Sequence, residues 1–314
     1  MLALGALILL APLRADPVPV APEPAVEAPL APRSLLLGGA RAGQRLVTVG
    51  ERGHILYSDD GGTSWRQAPV PTQATLTAVH FEDALRGWAV GHDSVILHTE
   101  DGGETWRIQN FAPQDGTPMP LMDVWFADDR HGYALGAYGL FLETADGGQS
   151  WEQRAISADD FHLNHLSDAG GGRLYIAAEF GNVYRSDDGG ATWIATPAPY
   201  EGSFMGSLAL DGDSVLVFGL RGHLFRSDDA GASWTALDTG TTALLTGAAR
   251  LEDGTIVVTG VAGTLLVSDD DGRSFRLAPR TDRSALAGII EAGAERLVLF
   301  GERGVDVLAR SRIR

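Results

Sequence analysis

The sequence predicts an all-β protein, a seven-bladed β-propeller with about four short antiparallel strands per blade. Three observations carry this expectation. A tight-turn motif returns six times at nearly constant spacing, a strand–turn–strand run returns seven times in step with it, and no apolar pattern holds a 3.6-residue period for a dozen residues.

Residues 2–13 (LALGALILLAPL) form an apolar run of about a dozen residues, shorter than the roughly 20 a bilayer span requires. That length suits the core of a secretory signal, so residues 1–15 are expected to be a signal peptide and the protein to reach the periplasmic or lumenal side of a membrane. An uncleaved short anchor is the alternative. Residues 16–33 (DPVPVAPEPAVEAPLAPR) hold six of the fifteen prolines and read as a semi-rigid extended linker. Residues 34–314 are then the propeller, with no membrane span of its own.

The repeat is visible by eye. SDDGGTSW at 58–65 returns as TEDGGETW, TADGGQSW, SDDGGATW, SDDAGASW and SDDDGRSF. Its central aspartates are Asp60, Asp101, Asp146, Asp188, Asp229 and Asp270, so the intervals are 41, 45, 42, 41 and 41 residues. Its closing aromatics are Trp65, Trp106, Trp151, Trp193, Trp234 and Phe275. Before each copy, two β-branched or aromatic runs flank a short glycine-bearing turn, as in RLVTVG-ERG-HILYS from Arg45 and HGYALG-AYG-LFLET from His131, which is a hairpin pattern. A further apolar run opens each unit, at 35–37, 76–81, 121–126, 161–166, 204–210, 245–251 and 285–290. Seven openings mean seven blades.

The turn motif is expected to be structural. The Ser/Thr hydroxyl and the Asp carboxylate can take up turn N–H groups, the second glycine can supply a positive φ, and the aromatic can pack beneath. A calcium loop of the helix–loop–helix kind would need acidic ligands over 12 residues and a terminal Glu, which this pattern lacks. The last unit departs from the rest, because residues 309–313 read ARSRI, without Asp, Gly or Trp. Blade seven therefore lacks an outer strand of its own, and residues 26–34 are expected to lie beside it; a frayed three-stranded blade is the rival.

Composition excludes several classes. With no cysteine there is no disulfide and no thiolate-bound metal, and no cofactor or metal site is expected. A net charge of −17, from 24 basic and 41 acidic side chains, opposes nucleic acid and anionic membrane surfaces. All the basic residues are arginine. The 40 glycines point to many tight turns. His162 and His165, three apart in a strand, face opposite ways and are not expected to share a metal.

The turn motif, followed by a restart as in DVWFADDRHGYALGAYGLFLETADGGQSW at 123–151, resembles the BNR (Asp-box) repeat propellers of the photosystem II stability and assembly factor family over about residues 35–308. The resemblance implies an exported, non-enzymatic, protein-binding propeller. Photosynthetic members act on a newly made reaction-centre subunit, and relatives occur in non-photosynthetic bacteria. Sialidases share the box, so a carbohydrate-binding or glycoside-cleaving propeller is the alternative. Their early F/Y-R-I-P segment has no counterpart, the nearest stretch being Ala31-Pro32-Arg33-Ser34.

Binding is expected on the face that carries the turns between second and third strands, opposite the Asp boxes. Those turns present Glu51 and Arg52, Tyr138, Phe180, Arg221, and Glu302 with Arg303. The identical GERG turns of blades one and seven should stand side by side at ring closure, with Tyr138 and Phe180 across the channel. The arginines would grip carboxylates and the aromatics would anchor apolar groups. Residues 111–122 and 197–205 are expected to border this face. The expected partner is an envelope or membrane protein, and the chain itself a monomer.

Overall fold

A computed structural model describes residues 22–111, 118–278 and 280–313. The signal-peptide reading and the first part of the linker fall outside these residues, as does the middle of the 111–122 loop.

Seven antiparallel sheets follow one another along the chain, six of four strands and the last of three. Each blade begins with its innermost strand: Leu36–Ala42, Leu76–Phe81, Leu121–Phe126, Leu163–Gly170, Phe204–Ala209, Leu245–Arg250 and Leu286–Glu291. The second strands, such as Gly87–Gly91 and Val215–Gly219, are buried along their whole length. Both of their faces meet a neighbouring blade, which is why they read as continuous apolar runs instead of alternating ones. The core accordingly divides into seven interblade clusters. Val47, Tyr57, Val79 and Trp106 fill the first gap, and Leu36, Leu56, Val298 and Phe300 fill the last.

Every innermost strand carries a bulge near its start. The extra residue turns its side chain toward the next blade. Thr77 Oγ1 donates to Leu121 O at 2.7 Å, Asn164 Nδ2 to Phe204 O at 2.7 Å and Thr246 Oγ1 to Leu286 O at 2.6 Å.

The expected Asp-box chemistry is present in all six copies. In the first, Ser58 Oγ donates to Asp60 Oδ1 and accepts from the Gly62 N–H, both at 2.8 Å, while the N–H and hydroxyl of Ser64 reach the two Asp60 oxygens at 2.9 and 2.6 Å. Both central residues of each box have positive φ, including Ala230 at 57° and Asp271 at 60°. Arginines then staple neighbouring boxes. Arg45 pairs with Asp59 at 2.6 Å and Glu104 at 2.9 Å, Arg154 donates to Ala191 O at 2.8 Å, and Arg185 donates to Ala230 O at 2.6 Å.

Residues 26–34 lie beside blade seven as expected, but not as an outer strand. Among the described residues blade seven has three strands, and residues 26–34 form no strand beside it. Instead Ala25 N–H donates to Val70 O at 2.8 Å, Ala28 N–H to Gln67 Oε1 at 2.9 Å, and a 3-10 turn, Ala31–Arg33, packs against the last strand. The prolines at 29 and 32 leave this stretch short of backbone donors, so it closes the ring by burying Ala31 among Leu36, Leu56 and Val298. The last blade is not frayed either. Ile313 is buried between blades six and seven, and Arg310 pairs with Glu291 and Asp253.

Candidate functional site: the turn face

The second-to-third-strand turns are tight because the chain must reverse within three residues. In blades one, two, three, five and six it forms a single 3-10 turn whose middle residue lies in the left-handed region. Arg52 has φ 56°, Tyr138 55°, Phe180 54° and Arg221 58°. This conformation is costly for a residue with a side chain, and it thrusts each side chain outward. Tyr138 is 64% exposed and Phe180 60%. Blade seven turns differently. Gly301 opposes Gly304 directly, Gly304 takes φ 80°, and the last strand starts at once.

The glutamates of these turns have a fastening duty. Leu35 N–H donates to Glu51 Oε1 at 3.2 Å while the Glu51 N–H donates to Leu35 O at 3.0 Å. Glu302 holds Ala285 the same way, at 3.0 Å in both directions, and Glu179 holds His162. Each carboxylate clips the residue that leads into the innermost strand.

The arginines remain unengaged. Arg52, Arg221 and Arg303 are exposed and form no ion pair among the described residues. Spacing alone missed two more on this face. Arg33 precedes the strand that pairs Leu36 with Gly50, and Arg283 precedes the one that pairs Leu286 with Gly301, so both stand at the turn end of their blades, exposed and likewise without an ion pair among the described residues. Aligning the loops ahead of the seven opening runs would have found them. Blades one and seven are neighbours as expected, and Pro32 and Arg33 lie directly against Gly304 beside the Arg303 turn. By contrast, the Asp-box face spends its arginines on stapling.

Across the ring, Tyr138 and Phe180 belong to one aromatic row. Tyr138 meets His162 edge-on with centroids 4.9 Å apart, and Phe161, next in sequence to His162, lies 5.1 Å from Phe180. Beyond Phe180 a cleft of about 990 Å³ is lined by Tyr200, Glu201, Leu220 and Arg221. Residues 197–205 border the face as expected.

His162 and His165 part company, His162 lying just ahead of the strand Leu163–Gly170 beside Tyr138 and Glu179, and His165 past the bulge. His165 lies on the innermost layer, where Nε2 is 4.0 Å from Asp123 Oδ2 and Nδ1 is 3.4 Å from Ser207 Oγ. Sequence spacing had not brought these three residues together. They do not make a nucleophile: Ser207 is 2% exposed, and Asp123, whose carboxyl is raised by burial, already accepts the N–H groups of Leu166 and Val124. Among the described residues no helix is long and apolar enough to cross a membrane.

Comparison with known proteins agrees with this architecture. No curated protein matches the chain. Similar solved structures include one described as YCF48 bound to D1 peptide, with a TM-score of 0.72 and 18% identity over 92% of this chain and 99% of that one. YCF48 from Cyanidioschyzon merolae follows at 0.72 and 19% over 93% and 99%. The WD40 propeller domain of Doa1 matches at 0.70 and 12% over 89% and 94%. At these identities the likeness is one of fold. The family described as Photosynthesis system II assembly factor YCF48 matches residues 44–120 and 115–259, more than half of the chain, and this protein therefore belongs to that BNR-type propeller family.

Proposed function

We propose that the chain is an exported, non-enzymatic scaffold that binds a protein partner through its turn face and serves as an assembly or stability factor for an envelope or membrane protein. One observation carries this reading. Exposed Tyr138 and Phe180 are held in left-handed backbone, and the same face gathers Arg33, Arg52, Arg221, Arg283 and Arg303 without ion pairs among the described residues. The tight reversal itself sets the left-handed backbone, which Asp93 and Ala262 share, whereas the exposed aromatics and unpaired charges gathered there are what a ligand would take up. The arginines would fork onto carboxylates of the partner while the aromatic row and its cleft take apolar side chains. Glu51 and Glu302 act by fixing the loops that carry the arginines.

Family membership supports protein binding, and the apolar segment at 2–13 supports export. A crosslinking pull-down from the native envelope tests the face. With Arg52 and Arg303 both changed to Glu, partner recovery should collapse; undiminished recovery sinks the docking face. A screen with chromogenic glycosides and sialosides should show no turnover. Hydrolysis lost on changing a central carboxylate would favour the glycosidase alternative.

A further inference from the structure

Six blades end in outer strands of two to four residues, and four of these carry a charged side chain: Arg66, Arg107, Glu152 and Arg276. Short, charged edges resist pairing with another chain. Blade seven ends instead on Gly304–Ala309, six residues long, bonded on one side to Arg296–Gly301 and on the other, among the described residues, to no strand. Its register is set by the Gly301–Gly304 pair and by Arg310 N–H donating to Glu295 O at 2.9 Å. Antiparallel alternation then turns the backbone N–H and C=O of Val305, Val307 and Ala309 outward. Among the described residues these groups have no backbone partner, and Val307 is 42% exposed.

The two flanks of this edge differ in chemistry. Toward blade one, Val305 joins the cluster that includes Ala28, Leu56 and Trp65, and a cleft of about 630 Å³ opens among Ala28, Pro29, Pro32, Leu56 and Trp65. Between blades four and five the corresponding box tryptophan, Trp234, donates to Thr196 O at 3.0 Å, just past the outer strand Ile194–Ala195. Among the described residues Trp65 has no such strand beside it. Toward blade six, a cavity of about 140 Å³ is lined by Leu265, Ala278, Arg280, Asp306, Leu308 and Arg312.

Arg280 occupies the position six residues before an innermost strand that Val70, Ala198 and Thr239 occupy in other blades, all of them buried. Its side chain is 8% exposed. Asp282 and Asp306 form ion pairs with it at 3.7 and 3.6 Å from Nη2, too far to hydrogen-bond, while among the described residues Nε and Nη1 are buried without an acceptor. A buried guanidinium with unmet donors is a costly arrangement that a carboxylate would relieve.

We propose that the outer edge of blade seven accepts a strand from a partner protein, an extended segment in which apolar and acidic residues alternate. Its backbone completes the sheet against Val305, Val307 and Ala309. Its apolar side chains enter the cleft beside Trp65, and a carboxylate on its other face takes Nε and Nη1 of Arg280. The chain's own amino-terminal segment is a poorer occupant. Residues 23–28 are fastened to blade one through Val70, Gln67 and Gln73, and Pro17 and Pro19 upstream lack N–H groups.

The test uses the full chain at physiological salt and two labelled, end-capped hexapeptides, one alternating valine with glutamate and one valine with lysine. The glutamate probe should bind saturably and at least tenfold tighter than the lysine probe, and it should slow hydrogen exchange at residues 305–309. Val307→Pro removes an outward donor without touching the inner ladder and should weaken binding at least tenfold. Arg280→Met should abolish the preference for glutamate over lysine. If Val307→Pro melts early, the exchange footprint on the unaltered chain decides instead. The proposal is overturned by an absence of binding, by a footprint elsewhere, or by binding indifferent to Val307→Pro in a folded variant. Amides at 305–309 already protected in the free chain would assign the edge to the amino-terminal segment, and protection growing with protein concentration would assign it to a second copy; either overturns it too. None of these outcomes depends on Arg52 or Arg303, so the edge and the turn face fail separately.

Discussion

At the scale of single residues, the turn face holds exposed side chains on left-handed backbone, while the box face holds its aspartates in local hydrogen bonds. Arg52 and Phe180 are exposed at φ 56° and 54°. A glycine there would shed about 1–2 kcal/mol of left-handed strain and give back about 0.4–1 kcal/mol in unfolded-chain entropy. Arg52→Gly and Phe180→Gly are therefore expected to raise stability slightly in urea unfolding while lowering partner recovery; a loss of stability would contradict the strain argument. The box aspartates behave oppositely. Asp60, Asp146, Asp188 and Asp270 titrate at about 2, chiefly because the hydroxyls of Ser64, Ser150, Thr192 and Ser274 donate to them. Their unfolded value is about 3.9, so the folded state binds the proton less readily. Stability from this source is complete above the unfolded value and is lost as pH falls from about 4 through 2. Changing all four to Asn should flatten the acid limb of a circular-dichroism stability profile, and an unchanged limb would show that the loss arises elsewhere. The boxes were fully legible in sequence because their hydrogen bonds close within a few residues. Arg33 and Arg283 were not, since which arginines stand unpaired is decided by neighbours far away in the chain.

At the scale of elements, the glutamate clips and the bulge-borne clasps hold the innermost strands in register. Glu302→Ala should cost about 1 kcal/mol in thermal unfolding, the worth of an ordinary hydrogen bond, whereas Glu302→Gln keeps an acceptor and should be nearly silent. Equal losses for both variants would mean that the carboxylate's charge matters more than its reach to Ala285 N–H. The hairpins were legible from their β-branched runs and glycine turns. The bulges were not, because Thr77, Asn164 and Thr246 look like ordinary strand residues until the next blade supplies the carbonyl. The turns hid their geometry for a similar reason. GERG occurs identically in blades one and seven, yet it forms a 3-10 turn at Glu51–Gly53 and a two-residue reversal at Glu302 and Arg303.

At the scale of the whole molecule, closure is achieved by packing at both ends of the chain. Ile313 is 2% exposed between blades six and seven, so Ile313→Ala should cost about 2–4 kcal/mol in thermal unfolding through lost burial and a cavity. A negligible cost would mean that the carboxyl-terminal turn is not part of the closure. Sequence alone determined the blade count, the strand order within blades and the position of every box, since each blade is written in consecutive residues whose interactions are local. Family-level kinship rests on the same local repeats. Only the tertiary structure decided how the ring closes, which arginines are used as staples and which are left over, and that, among the described residues, blade seven keeps an open edge beside the buried side chain of Arg280. Those outcomes depend on residues from separate blades meeting across an interface, and no local pattern in the chain records which partners they meet.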